Sequence, residues 1–188
     1  MLDTWQEWVG TETGVVALSV LSLPAAALAA GLLGRRRRMR GVPAPWRTTL
    51  AEVGLIYGTV PWVPLTLLPG EREAHGTVIL VPFTDLVTMD RGQIIGNLLL
   101  FAALGFFAPL RFPVLASLGR VVALAAACST LIEVLQYVLL LDRVSSVDDV
   151  LLNTTGAGLA ALLSYRWWRS PAPSALTGPD RLQRLGPR

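Results

Sequence analysis

The sequence predicts an all-α fold, a polytopic membrane helical bundle of about five transmembrane helices. Of the 188 residues, 53% are apolar and 15% are charged, whereas about 25% of the residues of a soluble protein carry a charge. The apolar residues are collected into long blocks that lack the polar stripe of a soluble amphipathic helix. The chain is therefore predicted to lie in a lipid bilayer.

Five apolar blocks approach the length of about 20 residues that a helix needs to cross a bilayer. Glu52 lies near one end of the second block, Glu133 lies inside the fourth, and the fifth block is slightly short. The predicted spans are residues 15–33, 50–68, 94–110, 121–141 and 150–165.

The first span is predicted to be an anchor with its N-terminus outside the cell. Asp3, Glu7 and Glu12 precede it, and an arginine run at 35–40 follows it. A cleaved signal peptide has the opposite order, with its basic residues first. Gly34 is predicted to end this helix as its C-cap.

The second span and the outer loop after it are predicted to be irregular. Pro61 and Pro64 remove backbone hydrogen bonds, so we expect the outer half of the span to be bent or unwound. The outer loop 69–92 contains an apolar segment, 76–87, that is too short to cross a bilayer. We expect this segment to lie at the membrane interface or to fold back into the protein.

The arginine distribution predicts the orientation. With the N-terminus outside, the inner segments 34–48, 111–120 and 166–188 hold 13 of the 16 arginines, and the outer segments hold ten of the 13 acidic residues. Inner loops carry the excess of basic residues, so the C-terminus is predicted to be inside. The arginine run is interpreted as a topology signal that attracts anionic lipid, and no nucleic acid partner is expected.

Cysteine and histidine usage excludes several kinds of site. Cys128 and His75 are the single residues of their types, so the sequence has no disulfide framework, no cysteine-rich zinc site and no histidine dyad. We interpret Cys128 as a packing residue and His75 as an exposed polar residue.

Glu133 is the main candidate for function because a charge at the bilayer centre costs about 2.5–3.5 kcal/mol. Helical spacing places Ser129, Thr130, Gln136 and Tyr137 on its face of the fourth span. This polar stripe either packs against another helix through hydrogen bonds or forms one wall of a pocket open to the outer leaflet. The second interpretation is favoured.

Polar residues of the third and fifth spans are predicted to meet this stripe. Ser145 or Ser146 is a natural N-cap for the fifth helix, whose first turn contains two aspartates that also suit the helix dipole. An arginine beside them could reach Glu133, an aspartate or an anionic ligand. The candidate ligand-binding residues are Asn97, Glu133, Gln136, Arg143, Asp148, Asp149 and Asn153. Close helix packing is predicted at Gly96, Gly105, Gly156 and Gly158.

Four segments resemble the VanZ-like family of bacterial membrane proteins: 81–86 (VPFTDL), 94–107 (IIGNLLLFAALGFF), 129–136 (STLIEVLQ) and 142–163 (DRVSSVDDVLLNTTGAGLAALL). Two positions depart from the family pattern. Ala103 replaces a frequent proline, and Ser146 replaces a frequent acidic residue, which weakens the acidic character of the site. The family signature corresponds here to Asn97, Phe101, Gly105, Glu133, Gln136, Arg143, Asp148, Asp149, Asn153 and Gly156.

The resemblance implies a multi-pass protein of the bacterial plasma membrane and cell envelope. Founding members are associated with resistance to teicoplanin, a lipoglycopeptide antibiotic. We divide the chain into an N-terminal two-span region (1–76), a VanZ-like domain (77–168) and a disordered basic cytoplasmic tail (169–188).

Two functions are compatible with these residues. The favoured one is a non-enzymatic protein that binds a membrane lipid, a lipid-linked cell-wall precursor or a lipoglycopeptide. The alternative is an enzyme on a lipid-linked substrate, with Glu133 as general acid or base and with Asp148 and Asp149 as ligands of a divalent cation. No other cofactor is expected, and the sequence leaves the oligomeric state open.

Overall fold

A computed structural model describes residues 12–68, 78–141 and 143–169. Helices predominate in these residues, as predicted, with one 3₁₀ turn at Pro113–Leu115 and two short strands that pair in parallel. His75 and almost all of the predicted cytoplasmic tail lie outside the described residues. The elements are α1 (Glu12–Met39), α2 (Pro45–Thr59), α3 (Val63–Thr66), β1 (Val78–Ile79), α4 (Arg91–Leu100), α5 (Ala102–Arg111), α6 (Leu118–Val138), β2 (Ser145–Ser146) and α7 (Val147–Arg169).

Three helical segments of the described chain are long and apolar enough to cross a membrane: Gly14–Met39, Arg91–Arg111 and Leu118–Val138. They coincide with the first, third and fourth predicted spans. The helical membrane-type fold is confirmed by these segments, and the total of five spans and the orientation stay predictions.

The prediction that Gly34 caps the first helix is wrong. Helix α1 continues through the arginine run to Met39, and Gly41, at φ 67°, follows it in the left-handed conformation that favours glycine. A side chain at Gly34 would come within 2.5 Å of the Trp46 ring. Gly34 therefore allows the start of α2 to pack against α1.

The irregular second span is confirmed. Helix α2 ends at Thr59, a turn follows at 60–62, and Pro64 lies in the first turn of the four-residue helix α3. A break that the sequence did not predict divides the third span at Phe101, between α4 and α5. Phe101 is buried there, with φ −108° and ψ 13°.

Helix α7 is the central element of the bundle, because it packs against α4, α5 and α6. A side chain at Gly105 would collide with the backbone oxygen of Ala157, and one at Gly156 with that of Leu98. Both glycines therefore allow close helix packing, as predicted. The same prediction is wrong for Gly96, where an added Cβ would meet no atom within 4 Å.

The helix order gives the bundle two chemically different ends. At the end called here the polar end, α6 finishes and α4 and α7 begin. At the opposite arginine end, Glu52 joins three helices through ion pairs of 2.6 Å with Arg37 and of 2.6 Å with Arg111. Arg37 also donates to the buried Thr49 hydroxyl at 3.1 Å.

Candidate functional site

Glu133 lies in the last turns of helix α6, which ends at Val138 instead of the predicted residue 141. Leu140 adopts a left-handed conformation, φ 51°, in the chain reversal that follows. The returning strand β2 then lies beside Glu133. The Ser146 amide donates to Glu133 Oε2 at 3.0 Å, and the Ser145 hydroxyl donates to the Glu133 carbonyl oxygen at 3.1 Å.

Asp148 holds the segment that connects β1 to α4. Its Oδ1 accepts the Phe83 amide at 2.6 Å, and its Oδ2 accepts the amides of Asp85 and Leu86 at 3.0 Å each. The Asp148 side chain is therefore almost fully buried, with 1% of the residue exposed. Together with the pairing of β1 and β2, these bonds tie the backbone of the apolar outer segment to the bundle, while most of its described side chains are exposed. Its position at the membrane interface or within the protein stays a prediction.

The Ser146 hydroxyl accepts the Asp148 amide at 3.2 Å and so acts as the N-cap of α7. In the next position, Asp149 Oδ1 accepts a hydrogen bond from Asn97 Nδ2, which joins α7 to α4. Two of the candidate residues, from separate predicted spans, therefore meet directly.

Four charged side chains form a group at the polar end, called here the charged cluster: Asp85, Glu133, Arg143 and Asp149. Glu133 interacts electrostatically with the other three, and Asp149 interacts with Asp85 and Arg143. Arg143 also donates from Nε to the Leu68 carbonyl oxygen at 3.1 Å. Arg143 therefore lies within electrostatic range of Glu133, its predicted partner in charge, and carboxylates outnumber the guanidinium group in the cluster.

Two further candidate residues lie at the margins of the cluster. Gln136 donates from Nε2 to the Thr66 carbonyl oxygen at 2.7 Å, at the irregular end of the second span. Asn153 lies one turn below Asp149 on α7 and donates to the Ser129 hydroxyl at 2.7 Å. Asn153 is 2% exposed, and its Oδ1 atom accepts no hydrogen bond from the described part of the chain.

The predicted polar stripe of α6 is narrower in the structure, and this corrects the prediction. Ser129 and Gln136 are buried, whereas Thr130 and Tyr137 are exposed, Tyr137 to 48%. Consecutive residues of an α-helix are about 100° apart around the helix axis. Thr130 and Tyr137 therefore lie on a different side of α6 from Ser129 and Gln136. Only the side that includes Ser129 and Gln136 faces the bundle.

Sequence reasoning did not select Asp85 or the carbonyl oxygens of Thr66 and Leu68. Asp85 is 7% exposed, and the Thr88 hydroxyl donates to it. The sequence pattern that could have identified Asp85 is a single carboxylate in an otherwise apolar segment. Backbone carbonyl oxygens have no sequence signal, because their use depends on where α3 ends.

Asp148 and Asp149 are the predicted ligands of a divalent cation. Within residues 12–68, 78–141 and 143–169, no group of three or more His, Cys, Asp or Glu side chains is arranged to hold a metal ion. Both oxygens of Asp148 already accept backbone amides. The cation site stays a prediction.

The family model described as VanZ/LLP1 matches residues 54–169, which is more than half of the chain and includes every candidate residue. No curated protein and no solved structure matches the chain.

Proposed function

The chain belongs to the VanZ/LLP1 family, and we propose that it is a multi-pass plasma-membrane protein of the bacterial cell envelope that binds amphiphilic molecules at its polar end. The ligand classes are a membrane lipid, a lipid-linked cell-wall precursor and a lipoglycopeptide such as teicoplanin. A contribution to teicoplanin resistance is part of this proposal, because founding members of the family are associated with that resistance.

The observation that carries the proposal is a charged cluster next to an exposed apolar loop. The loop 80–87 directs the Asp85 carboxylate inward and exposes apolar side chains, among them Leu80, Phe83 and Val87, the last to 84%. Asp148 fixes the backbone of this loop. An amphiphile could place its polar head at the cluster and its apolar part against the loop.

The carboxylates of the cluster have unused acceptor sites, which favours ligand head groups that donate hydrogen bonds. A carboxylate offers about four acceptor sites. Within the described chain the Glu133 carboxylate accepts one hydrogen bond, from the Ser146 backbone amide, and the Asp149 carboxylate accepts one, from the Asn97 side chain. Asn153 Oδ1 is a further buried acceptor. Hydroxyl and amine groups supply the matching donors, and sugar-containing precursors and lipoglycopeptides carry such groups.

The remaining candidates have separate parts in this proposal. Arg143 meets a phosphate or carboxylate of the ligand, because guanidinium groups bind both in a bidentate manner. Gln136 and Asn97 orient the helices that form the walls of the binding site, through their hydrogen bonds to Thr66 and Asp149. Asp148 acts as a positioning residue, since its oxygens hold the loop.

The test is a titration of the purified full-length protein, in neutral detergent, with teicoplanin and with a polyprenyl-pyrophosphate-linked disaccharide. We expect saturable binding of at least one probe. Glu133→Ala should weaken it about tenfold, because hydrogen bonds to charged groups contribute about 1.5–3 kcal/mol. Thr130→Val, on the exposed side of the same helix, is the matched control and should bind as the wild type does. Failure of both probes to saturate, or equal weakening by both variants, would contradict the proposal.

The enzymatic alternative is favoured by the close grouping of Glu133 and Asp149 with Arg143. Glu133→Gln separates the two functions, since it keeps the shape of the side chain and removes its titrating proton. A binding protein should keep more of its affinity in this variant than in Glu133→Ala, because the Gln side-chain oxygen still accepts hydrogen bonds. An enzyme that uses Glu133 as its acid or base should lose turnover of the polyprenyl-linked substrate.

A further inference from the structure

A cavity of about 510 Å³ lies at the arginine end, between the start of α6 and the last turns of α7. It is far along the helices from the charged cluster, because Glu133 lies near the end of α6 and the cavity lies at its beginning. The cavity therefore belongs to a different site from the one in the proposed function.

The polar side of the cavity is basic and rich in hydrogen-bond donors. The Arg169 guanidinium carbon lies 4.9 Å from the centroid of the Tyr165 ring, so a cation–π contact holds the guanidinium at the cavity. Ser117 precedes α6, and its side chain makes no hydrogen bond that caps the helix. Its hydroxyl and the Arg169 guanidinium are therefore suitable donors to the same anionic group.

The other side of the cavity is apolar and accessible. Leu162 and Leu118 line it with exposed side chains, and the aromatic ring of Trp168 forms a buried wall. The Trp168 indole donates to the Ala161 carbonyl oxygen at 3.3 Å, which fixes this wall. A ligand that matches both sides has an anionic group next to a hydrocarbon chain.

We propose that this cavity binds one anionic phospholipid, with its phosphate at Arg169 and Ser117 and an acyl chain along Leu162 and Leu118. Charge complementarity supports this occupant, because the last turn of α7 holds a second arginine, Arg166, beside Arg169. Basic groups next to a membrane attract anionic lipids.

The test uses the full chain in neutral detergent and counts bound lipid by native mass spectrometry. We expect one equivalent of dioleoyl phosphatidylglycerol to bind more tightly than dioleoyl phosphatidylcholine. Arg169→Ala should weaken the binding of phosphatidylglycerol about tenfold, as expected for the loss of one charge-assisted hydrogen bond. Arg40→Ala removes the same charge from the exposed arginine run and should leave the affinity unchanged.

Two further measurements test the lipid site independently if Arg169→Ala lowers the melting temperature of the protein. Leu162→Trp places a bulky ring in the cavity from a half-exposed position and should block the lipid. An excess of inorganic phosphate should not displace the lipid, because phosphate lacks the chain. Equal affinity for the two lipids, equal effects of the two arginine variants, unchanged binding by Leu162→Trp, or displacement by phosphate would each overturn the proposal.

Discussion

At the scale of single residues, the polar end separates two kinds of buried carboxylate. Asp148 accepts three backbone amides, so its lone pairs hold a loop in place. The carboxylates of Glu133 and Asp149, by contrast, each accept one hydrogen bond from the described chain, Glu133 from a backbone amide and Asp149 from the Asn97 side chain. The sequence singled out Glu133 inside a span but could not separate Asp148 from Asp149, because their difference depends on which backbone amides arrive from the segment 83–86.

Asp148→Ala should destabilise the protein by about 3 kcal/mol or more, because it leaves several buried amides without an acceptor. Unfolding in detergent measures the loss, and amide hydrogen exchange should show reduced protection at Phe83, Asp85 and Leu86. Asp90→Ala is the control for removing an acidic side chain. Asp90 caps α4 at an exposed position through Gly92 and Gln93, and its loss should cost about 1 kcal/mol. Equal effects of the two substitutions would show that Asp148 does not hold the loop.

At the scale of elements, the sequence predicted which segments are helical better than where they end. Apolar block length located the first, third and fourth spans, and the prolines located the irregular part of the second. The end of α6 and the break at Phe101 were not predicted, because both depend on tertiary contacts of residues that are themselves apolar. Gly34 was misassigned for a related reason, since its small size serves the packing of Trp46.

Close packing of α7 is the element-scale feature that variants can test. Gly156→Ala should destabilise the protein by about 1–3 kcal/mol, because the added methyl group meets the backbone oxygen of Leu98 and overpacks the interface. Gly96→Ala is the matched control, since its Cβ meets no atom within 4 Å. It should be neutral or slightly stabilising in a thermal unfolding measurement, because alanine favours the helix over glycine. A larger loss for Gly96→Ala than for Gly156→Ala would contradict the described contact between α4 and α7.

At the scale of the whole molecule, the chain separates its charges between the ends of an apolar bundle. Glu133, Asp149 and Arg143 meet at the polar end, whereas the Arg37–Glu52–Arg111 ion pairs lie at the other. The sequence anticipated this separation from the arginine distribution. It also predicted that Asn97, Glu133, Arg143 and Asp149 are neighbours. The last three lie on two helices and the short loop that joins them, and Asn97 lies near the same end of a third helix. Asp85 and the partners of Gln136 required the three-dimensional path of the chain.

Ligand-sensitive cysteine labelling in intact cells tests the central claim most directly. Cys128 is first replaced by Ala, and single cysteines are then placed at Val87, in the exposed loop 80–87 of the polar end, and at Arg120, which is exposed at the arginine end. We expect an impermeant maleimide to label Val87→Cys in intact cells and Arg120→Cys only after permeabilisation. Teicoplanin or the polyprenyl-linked disaccharide should slow the labelling of Val87→Cys. Labelling of Arg120→Cys in intact cells, or a rate at Val87→Cys that neither ligand changes, would contradict a binding site at an outward-facing polar end.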